Sequence, residues 1–299
     1  MIPSSVGELQ ECLEQAGYIC EEETVLTVFL ALHLQKPLLI EGAPGVGKTE
    51  MGKALSRGLG LDLIRLQCYE GLDENKALYE WNYQKQLISI QINRELQKEE
   101  LRESDLFTDE YLMERPLLKS IRSGEKTVLL IDEVDKCDHE FEAFLFEVLS
   151  DFQVSIPEMG TVTAANIPVV VLTSNSEREL SDALRRRCIY LYLDFPEPER
   201  EVKIIKHRFP DIGDKLAGSV AHLVEALRQD GRIQKKPSIA ETLDWVSAMV
   251  ELNRDRLSPS LVESTLNLVL KSRNDQQVFR EEIGAQSVIN QADRAAVRG

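Results

Sequence analysis

The segment GAPGVGKT, residues 42–49, constrains this chain more than any other stretch. It fits the pattern G-x-x-x-x-G-K-[ST] and stands between a short apolar run, PLLIE (37–41), and a stretch in which Ala54, Leu55 and Leu59 recur at helical spacing. Strand, glycine-rich turn and helix in that order make a phosphate loop. Glycine lets backbone N–H groups turn inward around phosphate oxygens, and the start of the following helix adds a positive dipole. Lys48 is placed to meet β- and γ-phosphates, and the Thr49 hydroxyl to ligate magnesium. Convergent contacts of this kind favour a nucleoside triphosphate. The binding set read from the segment is Gly42, Ala43, Pro44, Gly45, Val46, Gly47, Lys48, Thr49 and Glu50, with ATP and Mg2+ as the ligands.

Further β-like runs follow at LDLIRLQ (61–67), TVLLID (127–132), IPVVVLT (167–173) and CIYLYL (188–193), with helical segments between them. Together with 37–41 they predict an α/β fold, a mainly parallel five-stranded sheet between helices. Ahead of the first strand, residues 5–17 and 22–35 read as helices, the second from the spacing of Val25, Leu26, Phe29, Leu30 and Leu34. After FPEPER (195–200) the β signal stops. Amphipathic segments near 199–209, 213–229, 238–252 and 258–273 then predict a small all-helical domain. The expected organisation is a nucleotide-binding core over 1–195 with a helical insertion near 84–115, a helical domain over 196–275, and a polar tail over 276–299.

A second chemical element is VLLIDEVDK, residues 128–136, an apolar strand that delivers Asp132 and Glu133 to the carboxyl edge, where open α/β sheets place ligands. Asp132 is suited to hold the magnesium hydration shell and Glu133 to polarise a water for attack on the γ-phosphate. Asp135 and Lys136 read as capping or surface residues. The third element, VVVLTSN (169–175), brings Asn175 to the same edge, where it could orient the attacking water. The fourth, ALRRRC (183–188), sets three arginines before the last strand. An arginine supplied to a neighbour's γ-phosphate stabilises transition-state charge, and such a role requires self-association.

In order and spacing, GAPGVGKT, LLIDEVDK, LTSN and LRRR resemble the Walker A, Walker B, sensor 1 and arginine-finger elements of AAA+ ATPases, over roughly residues 20–275. More narrowly, KPLLIEGAPGVGKTE, PLLKSIRSGEKTVLLIDEVDK and KKPSIAETLDW resemble the MoxR group and its CoxD-like branch. The resemblance implies a P-loop core with a helical lid, a hexameric ring, and ATP hydrolysis that remodels or matures a protein client as a chaperone. It further implies a partner carrying a von Willebrand factor A domain and, for this branch, a metal-centre-containing oxidoreductase as client. Carried over by motif, Glu133 and Asn175 are catalytic, Arg185 best fits the finger, and Arg187 is the second candidate. The family's extra helices would match 84–115, and its hairpin before sensor 1 would match 151–165, both facing the ring pore. The chain departs from the pattern where the lid helix normally offers a sensor 2 arginine: Ile239 or Ala240 stands there, with Lys235 or Lys236 as the available substitute. A nucleotide-dependent assembly switch with little turnover is the alternative this departure favours.

Composition removes other classes. A formal net charge of −16, from 35 Lys plus Arg against 51 Asp plus Glu, disfavours a DNA-acting AAA+ protein. No NKxD element reads guanine, since Asn75-Lys76 runs into Ala77-Leu78, and the Asp132-Glu133 pair with Asn175 is built to position water rather than a kinase substrate. The five cysteines lack a CxxC pair and read as buried free thiols, and the four histidines lack ligand spacing, so no zinc site is expected. The first residues lack a basic-then-apolar leader and no apolar run is long enough to span a bilayer, which predicts a cytoplasmic protein.

Overall fold

Three apolar runs fold into strands buried at every position, as strands covered on both faces must be: β1 (Leu38–Gly42), β5 (Thr127–Asp132) and β8 (Val169–Ser174). Between the first two come β2 (Asp62–Gln67) and the short β3 (Tyr79–Trp81) and β4 (Leu112–Glu114); β6 (Gln153–Ile156), β7 (Gly160–Thr163) and β9 (Ile189–Leu193) complete the set. The computed structural model describes residues 2–95 and 102–296. Its main sheet is five-stranded and parallel, in the order β2-β5-β8-β1-β9. The chain leaves β1 for the far edge at β2 and returns through β5 and β8, so the helix Lys48–Leu59 follows β1 at a reversal of strand order. Register pairs Gln67 with Asp132 and Leu39 with Leu172, which brings the carboxyl ends of neighbouring strands level. Strand β2 lies at the sheet edge and alternates, leaving Leu63, Arg65 and Gln67 exposed.

The chain divides into two compact units, Met1–Cys12, Glu22–Glu41 and Thr49–Tyr192 in one, and Leu13–Glu21, Gly42–Lys48 and the chain from Leu193 onward in the other. The segment Gly42–Lys48 falls in the second unit. Within that unit its backbone runs close to its neighbours: a Cβ on Gly42 would collide with the Leu193 carbonyl oxygen, and one on Gly45 with the Ser238 hydroxyl.

In the first unit the core gathers Leu39, Leu129, Ile131, Leu172, Leu117 and Phe141. The stretch 84–115, where a helical insertion was expected, holds most of the helix Tyr83–Glu95, the turn Glu103–Leu106 and β4, which pairs antiparallel with β3 just ahead of it; residues 96–101 lie outside the described residues. A second antiparallel hairpin, β6 with β7, occupies the stretch 151–165 where one was expected. Cys20, Cys68 and Cys137 are buried free thiols, while Cys12 and Cys188 are half-buried.

The second unit packs the helices Pro198–Arg208, Asp214–Gln229, Ile239–Glu251 and Pro259–Val269 around Trp245, whose indole N–H donates to Thr265 Oγ1 at 2.8 Å. Much of the stretch 276–296, in the region expected as a polar tail, is helical. The helices Arg273–Val278 and Ala285–Ala296, with the turn Phe279–Ile283 between them, bury Phe279, Ala285, Val288 and Ala292 in the same core, and Ala285–Ala296 lies along Asp214–Gln229. Residues 297–299 lie outside the described set. Among the described residues no helix is long and apolar enough to cross a membrane.

Candidate active site

The phosphate loop is shaped by what cannot fit in it. Gly45 has φ +77° and Gly47 φ +101°, a region where a side chain is strained, and at Gly45 the Ser238 hydroxyl would also block a Cβ. Ser238 is the N-cap of the helix Ile239–Glu251, fixed by a capping box in which it accepts from Glu241 N and Glu241 accepts from Ser238 N at 2.6 Å. The lid thus meets the loop with a serine and the methyl of Ala240 at the place where a sensor 2 arginine was sought. The Lys236 ammonium donates to the Asp230 carbonyl at 2.6 Å. Lys48 is buried, and its ammonium donates to the loop carbonyls of Gly42 at 2.7 Å and Ala43 at 2.8 Å. These bonds hold a cation at the first turn of the helix Lys48–Leu59, whose N-terminal dipole also favours an anion. Glu50 follows the loop in the first turn of the helix Lys48–Leu59. Its carboxylate turns along its own helix to Arg57 at 2.6 Å and Lys53 at 3.6 Å.

In the first unit, Asp132 closes β5 and is only 2% exposed. Its Oδ1 accepts from Thr49 Oγ1 at 2.9 Å and from Thr173 Oγ1 at 2.5 Å; its Oδ2 accepts from Arg65 Nη2 at 2.5 Å and Nε at 3.2 Å. A buried carboxylate is tolerable only with such partners. Carboxylate and hydroxyl oxygens are the hard donors that suit Mg2+, usually with retained waters, so the Thr49 and Asp132 pair fits the ion that a triphosphate carries.

Glu133 sits in the left-handed region at φ 58°, ψ 50°, a conformation costing on the order of 1–3 kcal/mol for such a residue. Its N–H donates to Thr173 Oγ1 at 2.9 Å, which holds the strained turn in place. Its carboxylate accepts from Gln67 Nε2 at 2.9 Å and Lys136 Nζ at 2.7 Å, and the Lys136 ammonium is held above its usual range by that bond. Lys136, though partly exposed, is therefore a partner of the expected base. Asp135 takes the capping one of its two expected roles: it is buried, and its Oδ2 accepts the backbone N–H groups of Asn175 and Glu177, each at 3.0 Å. That pair of bonds fixes the turn carrying Asn175, which is half-buried at the end of β8.

The two finger candidates part company. Arg185 is engaged within its own unit, Nη2 donating to both oxygens of the buried Glu41 at 2.8 and 3.1 Å, with Tyr190 donating to the same carboxylate at 3.0 Å. Arg187 is exposed, its guanidinium 5.0 Å from the Phe146 ring. Arg185 is thus tied to the carboxylate beside the loop, and Arg187 faces outward.

Arg65, Gln67, Thr173 and Glu41 complete the arrangement and were not singled out by motif. Gln67 pairs with Asp132 in the register of β2 on β5, a relation that could be read only once the strand order was known.

A family model described as "AAA domain (dynein-related subfamily)" matches residues 37–188. An uncharacterized protein of Staphylococcus haemolyticus is 23% identical over 278 residues, covering 89% of this chain and 97% of its own. Another, of Staphylococcus epidermidis, is 25% identical over 247 residues, covering 80% of this chain and 85% of its own. A proline-to-glycine mutant of Thermotoga maritima RuvB shares the fold with a TM-score of 0.50 at 20% identity, over 94% of this chain and 80% of that one. A family model that spans half the chain, both Walker segments included, makes this protein a member of the AAA+ ATPases, within the dynein-related AAA domain subfamily.

Proposed function

We propose that this chain hydrolyses ATP with Mg2+ and uses the cycle to remodel or mature a protein client, as a self-associating ring of the MoxR type. The observation that carries the reading is the hydrogen bond from Thr49 to Asp132, which ties the residue following the loop lysine to the acidic end of β5. Mg2+ would supply a counter-charge for the β- and γ-phosphates and a Lewis acid at the bond that breaks. The protein supplies the rest. Lys48 neutralises phosphate charge, Glu133 accepts the proton of the attacking water, and Asn175 on its braced turn orients that water. Arg187 is the better group to reach a neighbouring subunit, because Arg185 is already committed to Glu41. The finer proposals, a hexamer, a von Willebrand factor A partner and an oxidoreductase client matured in the cytoplasm, rest on the motif resemblance.

A second reading, an ATP-dependent assembly switch with little turnover, is favoured by two observations. The lid presents Ser238 and Ala240 to the loop where an arginine would contact phosphate, and Glu133 is held by both Lys136 and Gln67. Both readings require nucleotide binding. Titrating a fluorescent ATP analogue with Mg2+ should give saturable binding to the wild type and at least about tenfold weaker binding to Lys48→Ala, since a charge-assisted hydrogen bond contributes about 1.5–3 kcal/mol. Equal affinity in the two proteins would overturn both readings.

A further inference from the structure

Asp132 has no acceptor capacity to spare. A carboxylate offers about four lone-pair sites, and four donors already fill them: the Thr49 and Thr173 hydroxyls on Oδ1, and Nη2 and Nε of Arg65 on Oδ2. Any water carried on a divalent cation can be accepted only when a donor leaves. The Thr49 hydroxyl is one that turns to the metal in the proposed reading. Thr173 cannot be given up without loosening Glu133, whose N–H it accepts. Arg65 is the donor free to go: its side chain is 46% exposed, against 3% for that of Asp132, and it stands on the edge strand β2. Like charge acts in the same direction, because a guanidinium and a divalent cation on one buried carboxylate repel each other.

We propose that Arg65 is a positioning residue that acts as a built-in counter-ion for Asp132 and competes with the divalent cation for it. This deepens, and rests on, the ATP-binding reading above. The competition has a second consequence. Arg65 Nη2 also donates to Gln67 Oε1, and Gln67 Nε2 in turn donates to Glu133 Oε2 at 2.9 Å. Release of Arg65 from Asp132 therefore loosens the Gln67 amide, one of the two groups that hold Glu133, and leaves Lys136 as its remaining restraint. A chain without this arginine binds the cation more tightly and couples it less well to turnover.

The test is the free Mg2+ concentration that half-saturates binding of a fluorescent ATP analogue, measured on the full chain as wild type, Arg65→Met, Arg65→Gln and Arg65→Lys, with affinity in EDTA as the reference. Removing the competing charge is expected to lower the half-saturating Mg2+ by roughly threefold to fivefold in Arg65→Met, the size of a partly exposed ion pair. Arg65→Gln, which keeps a donor for Asp132 if the methionine variant fails to fold, should give the same shift; Arg65→Lys, which keeps the charge, should stay close to wild type. Affinity in EDTA should be the same for all four. An unchanged or higher Mg2+ requirement in both Arg65→Met and Arg65→Gln overturns the proposal while leaving the ATP reading intact. Absence of any analogue binding to the wild type overturns the ATP reading and this one with it.

Discussion

Glu133→Gln is expected to lower ATP turnover by about 10²- to 10⁴-fold, the usual contribution of a general base, with nucleotide affinity little changed. The glutamine keeps the shape of the side chain and an oxygen for Lys136, and the backbone bond to Thr173 is untouched, so the turn at φ 58° should persist. What disappears is the group that takes the proton. Steady-state phosphate release and analogue binding on the same preparations separate the two effects. Turnover at the wild-type level would mean that water is activated elsewhere, and loss of binding would mean that Glu133 mainly holds the loop together.

The largest stability effect is expected at Glu201. Arg228 and Glu201 form a two-pronged ion pair at 2.6 and 3.0 Å in the interior of the second unit, both side chains almost wholly buried, with Arg228 Nε donating to the Pro237 carbonyl at 2.8 Å. Pro237 precedes the Ser238 cap that meets Gly45, so this pair supports the lid's contact with the phosphate loop. Burial pushes the Glu201 carboxyl above its usual range despite the arginine beside it. The two deletions are therefore unequal. Glu201→Gln leaves a guanidinium that cannot shed its proton, with Glu225 at 3.8 Å as a partial counter-charge, and should cost about 3–5 kcal/mol. Arg228→Met leaves a carboxyl that can take up a proton, and should cost less.

A pH dependence follows for Arg228→Met. A carboxyl whose folded pKa lies above its unfolded value favours the folded state most below the unfolded pKa, and that contribution is lost as pH rises through the folded one. The variant should therefore lose stability as pH rises from the ordinary carboxylate range, more steeply than the wild type. Chemical denaturation at several pH values reads both effects, and equal costs for the two variants would contradict the assignment.

The parts of this architecture legible in sequence are those whose cause is local. Runs such as TVLLID and VVVLTS are mostly apolar because both faces of those strands are covered, and the phosphate loop is spelled by glycines whose positive φ or close neighbours disfavour a side chain. Arg65, Gln67 and Thr173 were missed because their roles arise from register between strands far apart in the chain, and an arginine in an alternating edge strand reads as a solvated position. Asp135 and Lys136 read only as capping or surface residues because nothing nearby in sequence reveals which turn the one braces or that the other grips Glu133. The helices after residue 275 bury alanines at 285 and 292, which carry little apolar signal but allow close approach to a neighbouring helix. The strands β3 and β4 are three residues each, too short for any period to register.

The central claim, an ATPase whose site is completed by a neighbouring copy, is tested most directly by ATP hydrolysis per subunit over a wide range of protein concentration, with Arg187→Ala measured alongside. The specific rate should rise with concentration in the wild type and stay low in Arg187→Ala, with restored activity when Arg187→Ala is mixed with Glu133→Gln, since a mixed interface pairs an intact base with an intact arginine. A wild-type rate independent of concentration, or an Arg187→Ala rate equal to it, would contradict the claim.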